Sequence, residues 1–187
     1  MHPDAELVVL VDEANRVLGT MPKHLVHGAV TPLHRGFSAF VFRVADGRLL
    51  LQQRSAKKRT WPLVWSNSCC GHPGPGESNL AAARRRLRAE LGLTPVSLEE
   101  IAPYRYCLSR DGVMENEICP ILVGLVDSEP TPDPNEVEAV RWQDWQSFLA
   151  EIDCGPSNYS GWSVEEARIL SSAPRVREIL RPWQIEI

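Results

Sequence analysis

Residues 71–93 read GHPGPGESNLAAARRRLRAELGL. The Gly- and Pro-rich first part has no period of 2 or 3.6 and resists any regular element. Glu77-Ser78-Asn79 then supplies helix-opening polar residues. From there to about Leu91 the positions Leu80, Ala83, Leu87 and Leu91 recur at spacings of 3, 4 and 4, which stacks them on one helix face. Gly92 ends the helix, because glycine turns freely into left-handed backbone. The stretch therefore predicts an amphipathic helix with a basic outer face, entered from a long ordered loop over 57–77 rich in Trp, Pro, Gly, Asn and Cys. A loop of that length inside a compact chain tends to carry function.

Outward from this unit the chain reads mainly as strands. Leu7–Val11 and Val17–Thr20 form a hairpin across residues 13–16, and Gly36–Val44 and Leu49–Gln53 flank Asp46-Gly47, a strong hairpin signal. Ile101–Leu108 and Glu117–Val126 are expected as strands around Asp111-Gly112, with Pro120 marking an edge or a bulge. Residues 128–134 form a Pro-rich surface loop, Val140–Trp142 a short strand, and 144–151 and 163–180 two helices. Strands interleaved with few helices predict a mixed α/β or α+β fold rather than a doubly wound parallel sheet, in one domain spanning 1–187.

Composition excludes several classes. The chain has 187 residues, 43% hydrophobic, with 20 Lys+Arg against 24 Asp+Glu and a net charge of −4. That length buries roughly 70% of the unfolded surface. No apolar run approaches the ~20 residues of a membrane span, and His2-Pro3-Asp4 does not begin a signal pattern. Five cysteines without CxxC pairs argue against a disulfide framework or a thiolate zinc knuckle, so the reducing cytoplasm is expected. The acidic balance gives no reason to expect nucleic acid.

Two constellations carry chemistry. From Gly71 the pattern is Gly-x5-Glu-x7-Arg-x4-Glu-x-Gly-Leu, which resembles the Nudix box, a loop-helix-loop that presents carboxylates to a hard cation on a diphosphate. Its central glutamates are absent here, because residues 85–90 read Arg-Arg-Leu-Arg-Ala-Glu. A hydrolase needs that cluster to hold metal and activate water, so the departure argues against hydrolysis. The second constellation is His27, His34, His72, Glu115 and Glu117. Three imidazoles and two carboxylates suit Mn2+, Fe2+ or Zn2+, with six-coordination favouring Mn2+, and Glu115 and Glu117 project to one side of a strand.

Ser66-Asn67-Ser68-Cys69-Cys70-Gly71-His72-Pro73, Arg88 to Gly92, Glu115-Asn116-Glu117-Ile118-Cys119-Pro120, His27-x6-His34 and residues 57–62 together resemble the type 1 isopentenyl-diphosphate isomerases. The resemblance runs to about Trp162. It implies an α/β/α Nudix-like sandwich about a mixed sheet, and interconversion of isopentenyl and dimethylallyl diphosphate. It further implies that Cys70 and Glu115 are the catalytic acid/base pair on opposite substrate faces. Tyr106 assists the glutamate, with Tyr104 as its alternative, and Trp162 shields the carbocation. His27, His34, His72, Glu115 and Glu117 hold one Mn2+, Zn2+ or Fe2+ per subunit. Glu90 and the Cys70 backbone hold Mg2+, and Lys23, Arg54, Lys58 and Arg86 bind diphosphate. A monomer or weak dimer is expected. Register with Gly71-His72 turns Cys69 inward and Cys70 to the pocket.

Overall fold

The computed structural model describes residues 6–154, 158–183 and 185. Its elements in chain order are β1 (Leu7–Val11), β2 (Val17–Pro22), α1 (Lys23–Val26), β3 (His34–Arg35), β4 (Phe37–Arg43), β5 (Leu49–Arg54), β6 (Trp65–Ser66), β7 (Cys69–Gly71), α2 (Asn79–Leu91), β8 (Ser97–Ala102), β9 (Arg105–Arg110), β10 (Val113–Ile118), β11 (Ile121–Val126), β12 (Val137–Gln143), α3 (Trp145–Asp153), α4 (Gly161–Ser172) and α5 (Pro174–Leu180). One sheet has the order β2-β1-β3-β10-β9. The other runs β12-β5-β4-β11-β8, with β6 pairing β5 and β7 pairing β4. Both mix parallel and antiparallel neighbours.

The second sheet is the middle of a sandwich. Every residue of β11 is buried, as is all of β4 except Arg43, so these strands must be covered on both faces. Alternation divides the load. Phe40, Phe42, Ile121, Val123 and Leu125 pack against Trp145, Phe148, Ala167, Leu170, Val176 and Leu180 of α3–α5. Phe37, Ala39, Val41, Leu122 and Val126 face Ala82, Ala83, Leu87 and Leu91 of α2. The result is the expected α/β/α arrangement of a mixed sheet. The α2 helix is capped by the Ser78 side chain, which accepts from the Ala81 N–H, and by Gly92 at φ 67°.

Prolines redraw three expected elements. Glu117–Val126 is two strands in different sheets: Pro120 lacks an N–H, and β11 beyond it is an interior strand between β4 and β8 rather than an edge. Ile101–Leu108 likewise divides at Pro103-Tyr104 between β8 and β9. The helix expected over 163–180 breaks at Ala173, with Pro174 opening α5 where a missing N–H does no harm. The loop over 57–77 contains β6 and β7. Leu80 is exposed at the start of α2, so the buried stripe begins at Ala82 and Ala83. Among the described residues no helix is long and apolar enough to cross a membrane.

Leu87 is fully buried between α2 and the sheet. Leu87→Ala is expected to lower stability by about 2–5 kcal/mol, read as a shifted urea midpoint at unchanged slope; a loss well below 1 kcal/mol would contradict this packing.

Candidate active site

Elements remote in sequence meet at one end of β10. Glu115 and Glu117 face the same side of that strand, both buried. His34 of β3 pairs in register with Glu117. His72 follows β7, and His27 closes α1. The segment after His27 is fastened to β10 by the Met114 N–H donating to Gly28 O (2.7 Å), Thr31 Oγ1 donating to Met114 O (2.7 Å) and Asn116 Nδ2 donating to Thr31 O (3.0 Å). Glu117 Oε1 lies 3.3 Å from His34 Nε2 and 3.1 Å from His72 Nε2, and Glu115 Oε2 lies 2.8 Å from His27 Nε2.

These contacts have the form of a ligand shell. Coordinating atoms of His27, His34, His72 and Glu117 lie within 4.8 Å of one another. His27 Nε2, His34 Nε2, His72 Nδ1 and Glu115 Oε2 are buried without hydrogen-bond partners. His72 Nε2 meets Glu117 Oε1 in a hydrogen bond, but the contacts of His27 and His34 lack that alignment, as donors turned toward a common centre do, so the cluster fits a divalent transition metal. His34 Nδ1 donates to Pro32 O (2.8 Å), which fixes the tautomer that turns the Nε2 lone pair inward. Glu115 lies outside the four-residue group and joins it through His27. Burial alone works to raise the Glu117 carboxyl, but the imidazoles of His34 and His72 beside it overcome that and hold the group well below the usual carboxylate range. Burial keeps His72 below the ordinary histidine range. Gly36 is required beside this cluster, because a Cβ there would collide with Glu117 Oε2.

A cavity of about 430 Å³ opens beside the cluster, and Cys70, Tyr106 and Trp162 line it together with Glu115 and Glu117. Cys70 Sγ donates to Asn67 Oδ1 (3.2 Å), which also accepts from Trp162 Nε1 (3.3 Å), so one amide fixes thiol and indole together. Burial above all pushes the Cys70 thiol up to about 12. Cys69 points the other way, fully buried in the core beneath α2. Tyr106 and Trp162 lie 5.7 Å apart between ring centres. Tyr104 stacks behind Tyr106 and donates its hydroxyl to Glu165 Oε2 (2.7 Å), away from this cavity.

Lys23, Arg54, Lys58 and Arg86 line the same cavity, and three of them carry carboxylate partners. Lys23 Nζ is 2.8 Å from Glu6 Oε2, Lys58 pairs with Glu136, and Arg86 contacts Glu90 (2.5 Å) and Glu136 (3.0 Å). Arg54 instead donates to Thr60 O (2.8 Å) and Thr60 Oγ1 (2.7 Å). Glu90 fits a Mg2+ role poorly in this state: its Oε1 accepts two bonds from Arg86, and it stands behind that residue rather than on the cavity wall.

Comparison with known proteins gives the family and the fold. A NUDIX domain is matched over residues 32–159. The chain is 46% identical over 163 residues to the isopentenyl-diphosphate Delta-isomerase of Saccharopolyspora erythraea, covering 86% of this chain and 84% of that protein. The chain belongs to the isopentenyl-diphosphate Delta-isomerase family. Another member, from Kocuria rhizophila, is 42% identical across 94% of this chain and 96% of its own length. Among solved structures, DR0079 of Deinococcus radiodurans superposes with a TM-score of 0.70 at 23% identity over 88% of this chain and 98% of its own. A MutT NUDIX hydrolase of Burkholderia pseudomallei gives 0.58 at 21% identity over 73% and 96%. At such identities the likeness is one of fold.

Sequence reasoning missed three residues of this isomerase-family site. Glu136 follows the Pro-rich loop, where nothing in the spacing marks it. Ser38 is an ordinary polar position on β4. Glu166 had a signal: an acid one turn after Trp162 on an otherwise apolar helix face.

Two predictions follow from this geometry. Gly36→Ala is expected to weaken Mn2+ or Zn2+ binding by about 10- to 100-fold, by calorimetry on protein with an unchanged circular dichroism spectrum; wild-type affinity would contradict the Gly36–Glu117 contact. Burial opposes ionisation of Glu136, yet Lys58 and Arg86 pull its carboxyl down from 4.5 to about 2. A depressed carboxylate stabilises the fold above its unfolded pKa and loses that effect as pH falls through the folded value. Wild type is therefore expected to exceed Glu136→Gln in urea stability at pH 7, with the gap closing between about pH 4.5 and 2.

Proposed function

We propose that this chain, as one catalytic domain, interconverts isopentenyl and dimethylallyl diphosphate by moving a proton onto one carbon and off its neighbour. The observation that carries this reading is a thiol and a carboxylate pair facing one aromatic-walled cavity beside a basic cradle. An isolated alkene is a very weak base, so its protonation needs an acid held in contact and a dry site where water cannot capture the tertiary carbocation. Glu115 delivers the proton on its side, and Cys70 takes the neighbouring proton on the other. The reverse turnover exchanges the roles. Burial keeps the free thiol protonated, so Cys70 acts as the base only after giving its proton to solvent while Glu115 takes one up; each turnover leaves Cys70 protonated and Glu115 ionised, and the same two exchanges with solvent reset the pair.

The remaining side chains bind and shield. Trp162 presents its ring face to the developing cation, a contact of about 2 kcal/mol when desolvated. Lys23, Arg54, Lys58 and Arg86 hold the diphosphate, whose negative oxygens replace the carboxylates that now neutralise the first, third and fourth of these. His27, His34, His72, Glu115 and Glu117 hold the transition metal, which when bound polarises the carboxylate side of the site. Glu90 and the Cys70 backbone would hold Mg2+ once Arg86 releases Glu90, and no step is assigned to it. Cys70 must stay reduced, which suits the cytoplasm, and the enzyme works as a monomer or weak dimer.

One observation favours a second assignment within this reaction. Tyr106 pairs directly across the strands with Glu117, whereas Glu115 pairs with Leu108. If the tyrosine assists the proton-bearing carboxylate, that carboxylate is Glu117. Hydrolysis is disfavoured by Arg86 and Ala89, which stand where a Nudix hydrolase needs carboxylates, Arg86 being engaged with Glu90.

Proton NMR of isopentenyl diphosphate in D2O, with Mg2+ and Mn2+, tests the reading. Wild type is expected to form deuterated dimethylallyl diphosphate, Cys70→Ala to form none while retaining its metal, and Cys69→Ala to be mildly affected. Release of phosphate, or equal loss in both cysteine variants, would overturn it. Glu115→Gln and Glu117→Gln distinguish the two carboxylates: the proton donor is the one whose loss removes turnover from protein that still carries metal.

A further inference from the structure

Trp61 is held in an unfavourable conformation. Its backbone is left-handed, at φ 53°, a region that bulky side chains rarely adopt. It also stands directly before Pro62, and a proline pushes the preceding residue toward extended backbone. The side chain is buried, and its indole N–H meets no hydrogen-bond partner. A leucine or a phenylalanine would leave no such donor unpaired. Yet Trp61 does not line the cavity. Strain of this kind persists only where the surroundings over-determine it, and it directs attention to what the strained residue places.

The surroundings are set by Arg54. Its main-chain N–H donates to Val64 O (2.9 Å), and its carbonyl accepts from the Leu63 N–H (3.0 Å). Its side chain reaches the other end of the turn, where Nε and Nη2 donate to Thr60 O (3.1 and 2.8 Å) and Nη2 donates to Thr60 Oγ1 (2.7 Å). Residues 60–64 are thus clamped on both sides of Trp61. These bonds use the Nε proton and both protons of Nη2, which leaves the two of Nη1 for a phosphate. Arg54 can therefore hold the turn and a diphosphate together.

The turn sets one ring against another. The Trp61 and Trp162 rings lie 4.8 Å apart between centres at 57°, in one buried cluster with Val64, Tyr106 and Cys119. Trp162 Nε1 donates to Ser66 Oγ (3.1 Å) and Asn67 Oδ1 (3.3 Å). Hydrogen bonds at one edge leave a ring able to swing about that edge, whereas a second ring packed against it fixes its plane.

We propose that Trp61 is a positioning residue for Trp162: clamped in left-handed backbone by Arg54, its indole backs the Trp162 ring and fixes the plane that Trp162 presents to the cavity. The effect on turnover rests on the isomerase reading, in which that plane faces the developing cation. The effect on the ring does not.

The test uses metal-loaded full-length protein and the variants Trp61→Leu, Trp61→Phe and Trp162→Phe. Two indoles this close couple their electronic transitions, so the far-ultraviolet circular dichroism of wild type is expected to contain an exciton couplet. Subtracting Trp61→Phe from wild type is expected to return the same couplet as subtracting Trp162→Phe, which needs no turnover. Trp61→Leu is expected to lower kcat about tenfold, the scale of one aromatic pair, with KM for isopentenyl diphosphate unchanged. Trp61→Phe keeps a ring and removes the unpaired N–H, and is expected to recover most of that loss. Should Trp61→Leu fail to fold, Trp61→Phe decides by its lost couplet and its near wild-type kcat. A couplet that survives in Trp61→Phe, a folded Trp61→Leu with wild-type kcat, a loss carried by KM, or a phenylalanine variant as slow as the leucine one would each overturn the proposal. A wild type that shows the couplet but fails to isomerise would instead overturn the assigned reaction.

Discussion

A parallel ladder between residues 34–43 and 117–126 carries both the architecture and the site. His34 pairs with Glu117 and Arg35 with Ile118 in one sheet, and Ser38–Arg43 pair with Ile121–Val126 in the other. The Gly36 N–H donates to Ile118 O (2.9 Å) and the Ser38 N–H to Pro120 O (3.1 Å), so the pairing continues through the crossing. Both segments change sheets at the same level, Gly36 on one and Cys119-Pro120 on the other. The crossing has two consequences. It lets the mostly apolar halves, β4 and β11, sit at the centre of a two-sided core. It also holds His34 against Glu117 with a backbone constraint that neither side chain supplies by itself.

Around that crossing the protein buries an unusual number of ionisable groups, and each is managed differently. Glu117 is ionised because two imidazoles hold it. Arg86 is buried but faces Glu90 and Glu136. Cys70 and Tyr106 carry their protons because burial disfavours the charged forms. The cavity is therefore not a basic funnel: its cations at Lys23, Lys58 and Arg86 are largely neutralised until an anion exchanges with their carboxylates. Such a site favours a ligand that brings its own negative charge.

The scaffold is shared with NUDIX proteins, but the polar chemistry has moved across it. On α2 the positions that would present carboxylates to a cation are Arg86 and Ala89, and the Arg86 guanidinium closes an ion pair with Glu90. The convergent donor set stands instead on β10 with three histidines from separate loops and strands. One fold thus supports a different centre by exchanging which element points carboxylates into the cavity.

Much of this was legible in the sequence by itself. The spacing of Ala83, Leu87 and Leu91 and the glycine after them determined α2; Asp46-Gly47 determined the β4–β5 turn; and alternation determined that Glu115 and Glu117 share a side, because periods of 3.6 and 2 are local properties of the backbone. The motif residues named the thiol, the imidazoles and the basic groups. What only the tertiary structure decided are the relations between distant segments. It divided 117–126 and 101–108 at their prolines between two sheets, gathered four ligands and left Glu115 at the margin, set Tyr106 opposite Glu117, and buried Glu166. None of these follows from spacing, because each depends on which strands pair and on what a side chain meets across a core.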